Sequence, residues 1–212
     1  MILYNRKIDV IIPAYNVPDK ILSRCLASIA CQEIVDDLEV TIVDDASTEE
    51  NYAEVIKIFS PLIKINLLRY EVNGGPGVAR QYGIDHTCNE YITFIDADDT
   101  FHGAFSLMTL RECLEMNINN VLCTSIFEEV RNDCGFTDFI FHPNDLIWMF
   151  GKIYRRDFIQ NNNIRFHPTS RANEDSGFNK LCQIYSIIQN KNIFNCNFPT
   201  YFWHINNNSI TR

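Results

Sequence analysis

The feature that most restricts the fold is an alternation running through the first hundred residues. Short apolar or β-branched runs stand at 8–14 (IDVIIPA), 38–45 (LEVTIVDD), 64–70 (KINLLRY) and 91–95 (YITFI). Helical patterns fill the gaps. Ile21, Leu22, Cys25, Leu26 and Ile29 recur at helical spacing behind Asp19, a candidate N-cap. Thr48, followed by two glutamates, predicts a helix over 48–59, since acids suit a helix N-terminus. Pro76 opens a third helix over 76–86. Strands apolar on both faces, alternating with helices, predict a parallel sheet covered by helices.

The second half is less regular. Residues 103–116 predict a helix through Ala104, Leu107, Met108 and Leu114. NVLCTSIFEEV (120–130) and FTDFIF (136–141) predict antiparallel strands around the turn RNDCG. A helix over about 174–189 and a strand over 193–204 follow. The expected class is α/β: a Rossmann-like, mostly parallel sheet flanked by helices, with a small antiparallel addition in the second half. At 212 residues the chain suits one domain.

Composition excludes several functions. No apolar stretch reaches the ~18–20 residues of a membrane span. The N-terminal MILYNRKIDVIIP resembles neither a signal nor a transit peptide, so a cytoplasmic location is expected. Eight cysteines, at 25, 31, 88, 113, 123, 134, 182 and 196, form no CxxC pair. They read as reduced, small hydrophobes and not as a zinc site. The net charge is −9, and the densest basic spot is the short RRDF at 155–158. Nucleic acid is therefore not an expected partner. An anionic ligand would need a local device, such as a metal or a helix N-terminus.

Ligands of open parallel sheets bind beyond the carboxyl ends of the strands. The four strand ends here read PAYN, DDAS, NGGPG and DADD. Two carry paired acids, which points to a polar ligand site on that rim. Asp96, Asp98 and Asp99 crowd three carboxylates into four positions, and burying such like charges unpaired is costly. Either something positive faces them or the loop is wet. GGPGVARQYG is not a dinucleotide fingerprint, because Arg80 stands where the third glycine belongs. Gly75 and Gly77 either make a tight turn or let backbone approach a ligand closely.

Taken in order, VIIPAYN, VTIVDDAST, NGGPGVARQYGI and FIDADD resemble the nucleotide-sugar-binding half of family-2 glycosyltransferases of GT-A fold. RANEDSGF (171–178) is similar to that family's Glu-Asp motif, and YFWHINNNSITR (201–212) to its C-terminal segment. The resemblance implies a single GT-A catalytic domain over 1–212, with a donor half at 1–100 and an acceptor half at 101–212. Pro13, Ala14 and Tyr15 match a wall of the base pocket; simple packing is the alternative for Tyr15. Asp44 and Asp45 match acids that meet base and ribose, or else cap the following helix. Gly75 and Arg80 match the donor side, with Arg80 steadying the acids or the nucleotide, or else standing as a surface cation. Asp96 and Ala97 belong to the donor site, Asp98 is the implied ligand of Mn²⁺ or Mg²⁺, and Asp99 supports them. Asp175 matches the general base and Glu174 an acceptor contact, although two acids also suit a helix N-terminus. His204 matches a metal or diphosphate ligand; Ser209, Thr211 and Arg212 are implied to close over the diphosphate.

The implied reaction is metal-dependent, inverting transfer of one sugar from a nucleotide-diphospho-sugar, with a UDP-sugar the expected donor. The Gln-x-x-Arg-Trp motif and membrane helices of polymer synthases are absent, which argues for single transfer. The acceptor could be a glycan, a lipid-linked sugar or a protein. Two other readings stand beside it. One is a non-catalytic nucleotide-sugar-binding subunit. The other is a sugar nucleotidyltransferase, which the glycine-free PAYNVPDK after the first strand disfavours. Trp148, in a segment resembling the acceptor side, either stacks on a sugar or packs in the core.

Overall fold

A computed structural model describes residues 6–48, 52–133, 136–169 and 173–205. Four parallel strands, β1 (Ile8–Ala14), β2 (Leu38–Asp44), β3 (Lys64–Arg69) and β4 (Tyr91–Phe94), lie in the order β3-β2-β1-β4. They alternate with helices α1 (Asp19–Ala30), α2 (Ala53–Phe59) and α3 (Pro76–Asp85). The sheet continues through the second half. There stand β5 (Thr100–Phe101), β6 (Asn120–Asp133), β7 (Phe136–His142), β8 (Lys152–Arg155) and β9 (Asn192–His204), with helices α4 (Ser106–Glu115), α5 (Arg156–Asn161) and α6 (Glu174–Ile188). Beyond β4 the order is β8-β6-β9-β5, with β7 pairing on β6.

The strands that look apolar on both faces do bury both. In β1, Ile8, Val10 and Ile12 enter the core with Leu22, Cys25, Leu26 and Ile29 of α1, whereas Ile11 enters a second core with Ala79 and Ile84 of α3 and with Phe94 and Phe178. A β-carbon on Gly83 would lie 2.5 Å from Ile11 Cγ2, so glycine is what lets α3 settle on β1. At the sheet edge, β3 is the exception, exposing much of its length.

Several elements differ from expectation. The second helix begins at Ala53, not at Thr48. Buried Tyr52 precedes it with φ 59°, and its hydroxyl accepts from the Val17 amide and pairs with Ser47 Oγ. That tertiary contact decides the start; residues 49–51 lie outside those described. The 103–116 helix begins at Ser106. Strand β8 and helix α5 were not anticipated. Nor was the parallel pairing of β6 with β9, beside which β8 runs antiparallel to both β4 and β6. The β6–β7 hairpin is antiparallel as expected. Cys25, Cys123, Cys182 and Cys196 are buried and unbridged; Cys31 and Cys88 are exposed. Cys134 lies outside the described residues. Among the described residues no helix is long and apolar enough to cross a membrane.

Candidate functional site

Three segments meet at the carboxyl end of the parallel strands: the 95–99 loop after β4, the first turns of α3, and the N-terminus of α6. What joins them is Arg80, only 2% exposed. Its Nη2 lies 2.6 Å from Asp96 Oδ1, while Nη1 lies 2.7 Å from Asp175 Oδ1 and 3.3 Å from Glu174 Oε1. Part of the positive charge that the acidic strand end requires is therefore this guanidinium, whose planar fork can serve several carboxylates at once. Burial works against its charge, yet Asp175, Asp96 and Glu174 outweigh burial and push its pKa up.

Asp175 and Glu174 occupy the first turn of α6, each 9% exposed, where the helix dipole favours carboxylates. Burial pushes Asp175 up to about 6; Arg80 opposes that shift, and Asp96 and Glu174 add to it. A carboxyl near 6 is charged at neutral pH and still basic enough to take a proton. The close approach of α3 to α6 depends on Gly77. A β-carbon there would sit 2.8 Å from Glu174 Cγ. Beside Glu174 opens a cavity of about 720 Å³, lined among others by Arg165, Phe166, His167, Asn173 and Leu181.

Asp99 has a different task. It is buried, and accepts from the Tyr201 hydroxyl (2.7 Å) and the His204 amide (2.8 Å). Tyr201's hydroxyl also accepts from the Asp96 amide (3.1 Å), so Asp99 and Tyr201 together hold the loop. Burial raises the Asp99 pKa well above the usual range, with Asp96 and Asp98 adding to it. Asp98 and Ala97 complete the loop: Ala97 is buried, Asp98 half-buried, and Arg24 donates to the Asp98 backbone oxygen. Nothing in the sequence flagged Arg24, because a lone arginine in an amphipathic helix looks like a solvated one.

At the end of β2, Asp45 accepts from the amides of Gly74 (2.7 Å) and Gly75 (2.8 Å), fixing the glycine turn to that strand. Gly75 has φ 87°, a conformation that favours glycine. Asp44, fully buried, accepts from the Ser47 amide and pairs with Arg69 at 2.9 Å. Pro13 and Ala14 line the end of β1; Tyr15, 48% exposed, stands on the rim and does not pack in the core. His204 Nε2 lies 2.9 Å from Thr100 Oγ1, and burial, together with Arg24, pulls its pKa down to about 4, so it is neutral. Ser209, Thr211 and Arg212 lie outside the described residues. Trp148 is half-buried, stacked on Phe150 at 5.9 Å and 5.7 Å from Trp203.

Among the described residues, no three His, Cys, Asp or Glu side chains form a cluster able to hold a metal. The donor set nonetheless suits a shared divalent ion, because Mg²⁺-type sites take one or two carboxylates and fill the rest with phosphate oxygens and water. Asp98, half-buried, would be one such carboxylate. His204 would first have to exchange its Thr100 partner.

The family described as Glycosyl transferase family 2 matches residues 9–181. Glycosyltransferase GlyA of Streptococcus pneumoniae is 24% identical, over 99% of this chain and 32% of its own length. The crystal structure of S. aureus TarS 1–349 in complex with UDP-GlcNAc superposes with TM-score 0.78 at 20% identity, over 96% of this chain and 60% of that one. The mannosyltransferase PcManGT of Pyrobaculum calidifontis, in complex with GDP-Man and Mn²⁺, superposes with TM-score 0.72 at 15% identity, over 95% of this chain and 58% of that one. These last two likenesses are of fold. The chain spans from 32% to 60% of the length of these relatives.

Proposed function

The chain belongs to glycosyl transferase family 2, and from that premise we propose that it moves one sugar from a nucleotide-diphospho-sugar to an acceptor hydroxyl. The observation that carries this reading is the Arg80 fork, which ties Asp96 of the donor-side loop to Asp175 and Glu174 of the acceptor side. A reaction between two bound molecules needs such a junction, since holding both partners in one geometry removes much of the barrier.

Asp175 takes the proton from the acceptor hydroxyl, and Glu174 orients the acceptor in the adjoining cavity. Arg80 keeps Asp175 charged and aimed. The nucleotide lies along Pro13, Ala14 and Tyr15, with Asp44, Asp45, Gly75, Asp96 and Ala97 beneath base, ribose and diphosphate. The UDP-GlcNAc held by TarS supports a uridine donor. Asp98, with His204 beside it, would hold Mg²⁺ or Mn²⁺, as the Mn²⁺ in the PcManGT complex supports; such an ion supplies charge neutralisation at the departing diphosphate. The reaction is one direct displacement with inversion, in which Asp175 needs no covalent intermediate. Residues 1–100 serve the donor and 101–212 the acceptor, which is a glycan, lipid-linked sugar or protein.

Asp175→Asn tests the base. The variant is expected to bind nucleoside diphosphate normally by calorimetry while its transfer rate falls by ~10²–10⁴. Undiminished transfer would refute the role. Wild-type binding with no turnover on any nucleotide-sugar would instead favour a non-catalytic subunit.

A further inference from the structure

Lys152 on β8 is fully buried, and the mechanism above does not use it. Its Nζ lies 3.2 Å from Asp145 Oδ1 and donates to the Phe150 carbonyl oxygen at 3.2 Å. Those two residues bracket a turn. At its start Asp145 Oδ1 accepts from the amides of Ile147 (3.1 Å) and Trp148 (2.9 Å), and Thr124 Oγ1 donates to the Asp145 carbonyl oxygen. The far side of the turn docks on α6. Asn179, one helical turn after Asp175, donates from Nδ2 to the carbonyls of Ile147 (3.1 Å) and Trp148 (2.9 Å), and its Oδ1 accepts from Tyr154 of β8 (2.7 Å). Met149 in the same turn also lies against α6, its sulfur 3.6 Å from Asn179 Nδ2, and its backbone N–H favours the charged form of Asp175.

An ammonium buried this completely is costly unless it is paired and hydrogen-bonded. A methionine would fill similar space without that cost, so the charge calls for a reason. We infer that Lys152 is a positioning residue: by clamping both ends of the 145–150 turn it fixes the Met149 amide against Asp175. This rests on Asp175 being the base proposed above. Burial pulls the Lys152 pKa down to about 8, with Asp145 opposing, so the clamp is charged at neutral pH. The other groups facing Asp175 are Arg80 from α3, Asp96 from the loop after β4, Glu174 on α6 and Tyr154 of β8.

The test pairs Lys152→Met with Asp145→Asn, so that no buried charge is left alone and the Asn oxygen can still accept from the turn amides. Two readouts are taken. The first is the Met149 amide resonance followed against pH on the protein alone. In the wild type it moves with a midpoint near 6 as Asp175 titrates; in the double variant that movement is lost or greatly reduced. The second is nucleoside diphosphate release from UDP-GlcNAc with Mn²⁺ against pH. Lys152 and Asp145 leave together with no change in net charge, so what disfavours the carboxylate is the loss of its amide partner: the acid limb rises by about one unit and turnover at pH 6 falls roughly fivefold, with little change at pH 8. A merely structural lysine would lower the melting temperature and slow turnover evenly at every pH. An amide titration identical in both proteins, or an unmoved limb, overturns the inference. Because the resonance needs no substrate, a wild-type chain that titrates as expected yet releases no nucleotide would sink the glycosyl-transfer reading and leave the clamp standing.

Discussion

Replacing Arg80 with glutamine removes the cation that, among the described residues, Asp96, Glu174 and Asp175 share. Its Nη1 lies 2.7 Å from Asp175 Oδ1, which puts the charge centres ~4 Å apart, an attraction of about 4 kcal/mol at an effective dielectric near 20. Converted, that is a pKa rise of about 3 units, and water entering the vacated space would reduce it to roughly 1–2. Asp175 already stands at about 6, because burial outweighs Arg80. Turnover by Arg80→Gln should therefore show an acid limb between about 7 and 8, with near-normal rates only at alkaline pH. Stability should move the opposite way. A carboxyl whose folded pKa exceeds its ordinary value binds a proton more tightly folded than unfolded. The variant should thus melt highest at acid pH and lose stability as pH rises through the shifted pKa. Nucleoside diphosphate release and melting temperature, each followed from pH 5 to 9, check both halves. A limb that stays at 6 with an even loss at every pH would refute the electrostatic reasoning.

The remaining expectations concern close contacts. Gly77→Ala places a β-carbon 2.8 Å from Glu174 Cγ and 3.0 Å from its Cβ. Turnover should fall by ~10² through displacement of the α6 N-terminus, while calorimetric stability changes by only about 1–3 kcal/mol; unaltered turnover would contradict this. Gly83→Ala is the contrasting case. Its β-carbon would meet Ile11 Cγ2 at 2.5 Å, an apolar neighbour in place of Glu174, so it should destabilise by about 1–3 kcal/mol in urea titration without changing the pH profile. Tyr201→Phe leaves Asp99 and the Asp96 amide each short of a partner. It should cost about 1–3 kcal/mol and weaken nucleoside diphosphate binding by calorimetry; normal affinity would argue against a loop held by Tyr201.

Sequence legibility followed how local each interaction is. Strands β1, β2 and β4 could be read because both faces are apolar, and α3 because Pro76 starts it. Arg80 could be named as steadying the acids only through the family resemblance; on its own it passes for a surface cation, and its burial comes from three carboxylates distant in sequence. KIYRRDF illustrates the opposite failure. Three cations in seven residues look like a solvated surface, yet each is buried and held by partners that only the fold supplies. Lys152 meets Asp145 and Phe150. Arg155 donates to the Asn120 carbonyl oxygen, and Arg156 to Asp9 and to the carbonyls of Asn89 and Ile84. Strand β8 and helix α5 were hidden behind those charges. The β6–β9 pairing was hidden for another reason, because parallel partners some 70 residues apart leave no local mark. Asp44 and Asp45 were visible as a pair, but not their division of labour, one tying Arg69 and the other the glycine turn.

The central claim is that nucleotide and sugar part company at the Arg80-centred junction, with a divalent ion assisting. The most direct measurement is product mass after incubating the chain with a panel of UDP- and GDP-sugars, with Mn²⁺ or Mg²⁺ and again with a chelator. The account predicts nucleoside diphosphate together with free or transferred sugar for at least one donor, suppressed by chelation. Pyrophosphate or a sugar phosphate as product, or no cleavage of any donor, would contradict it.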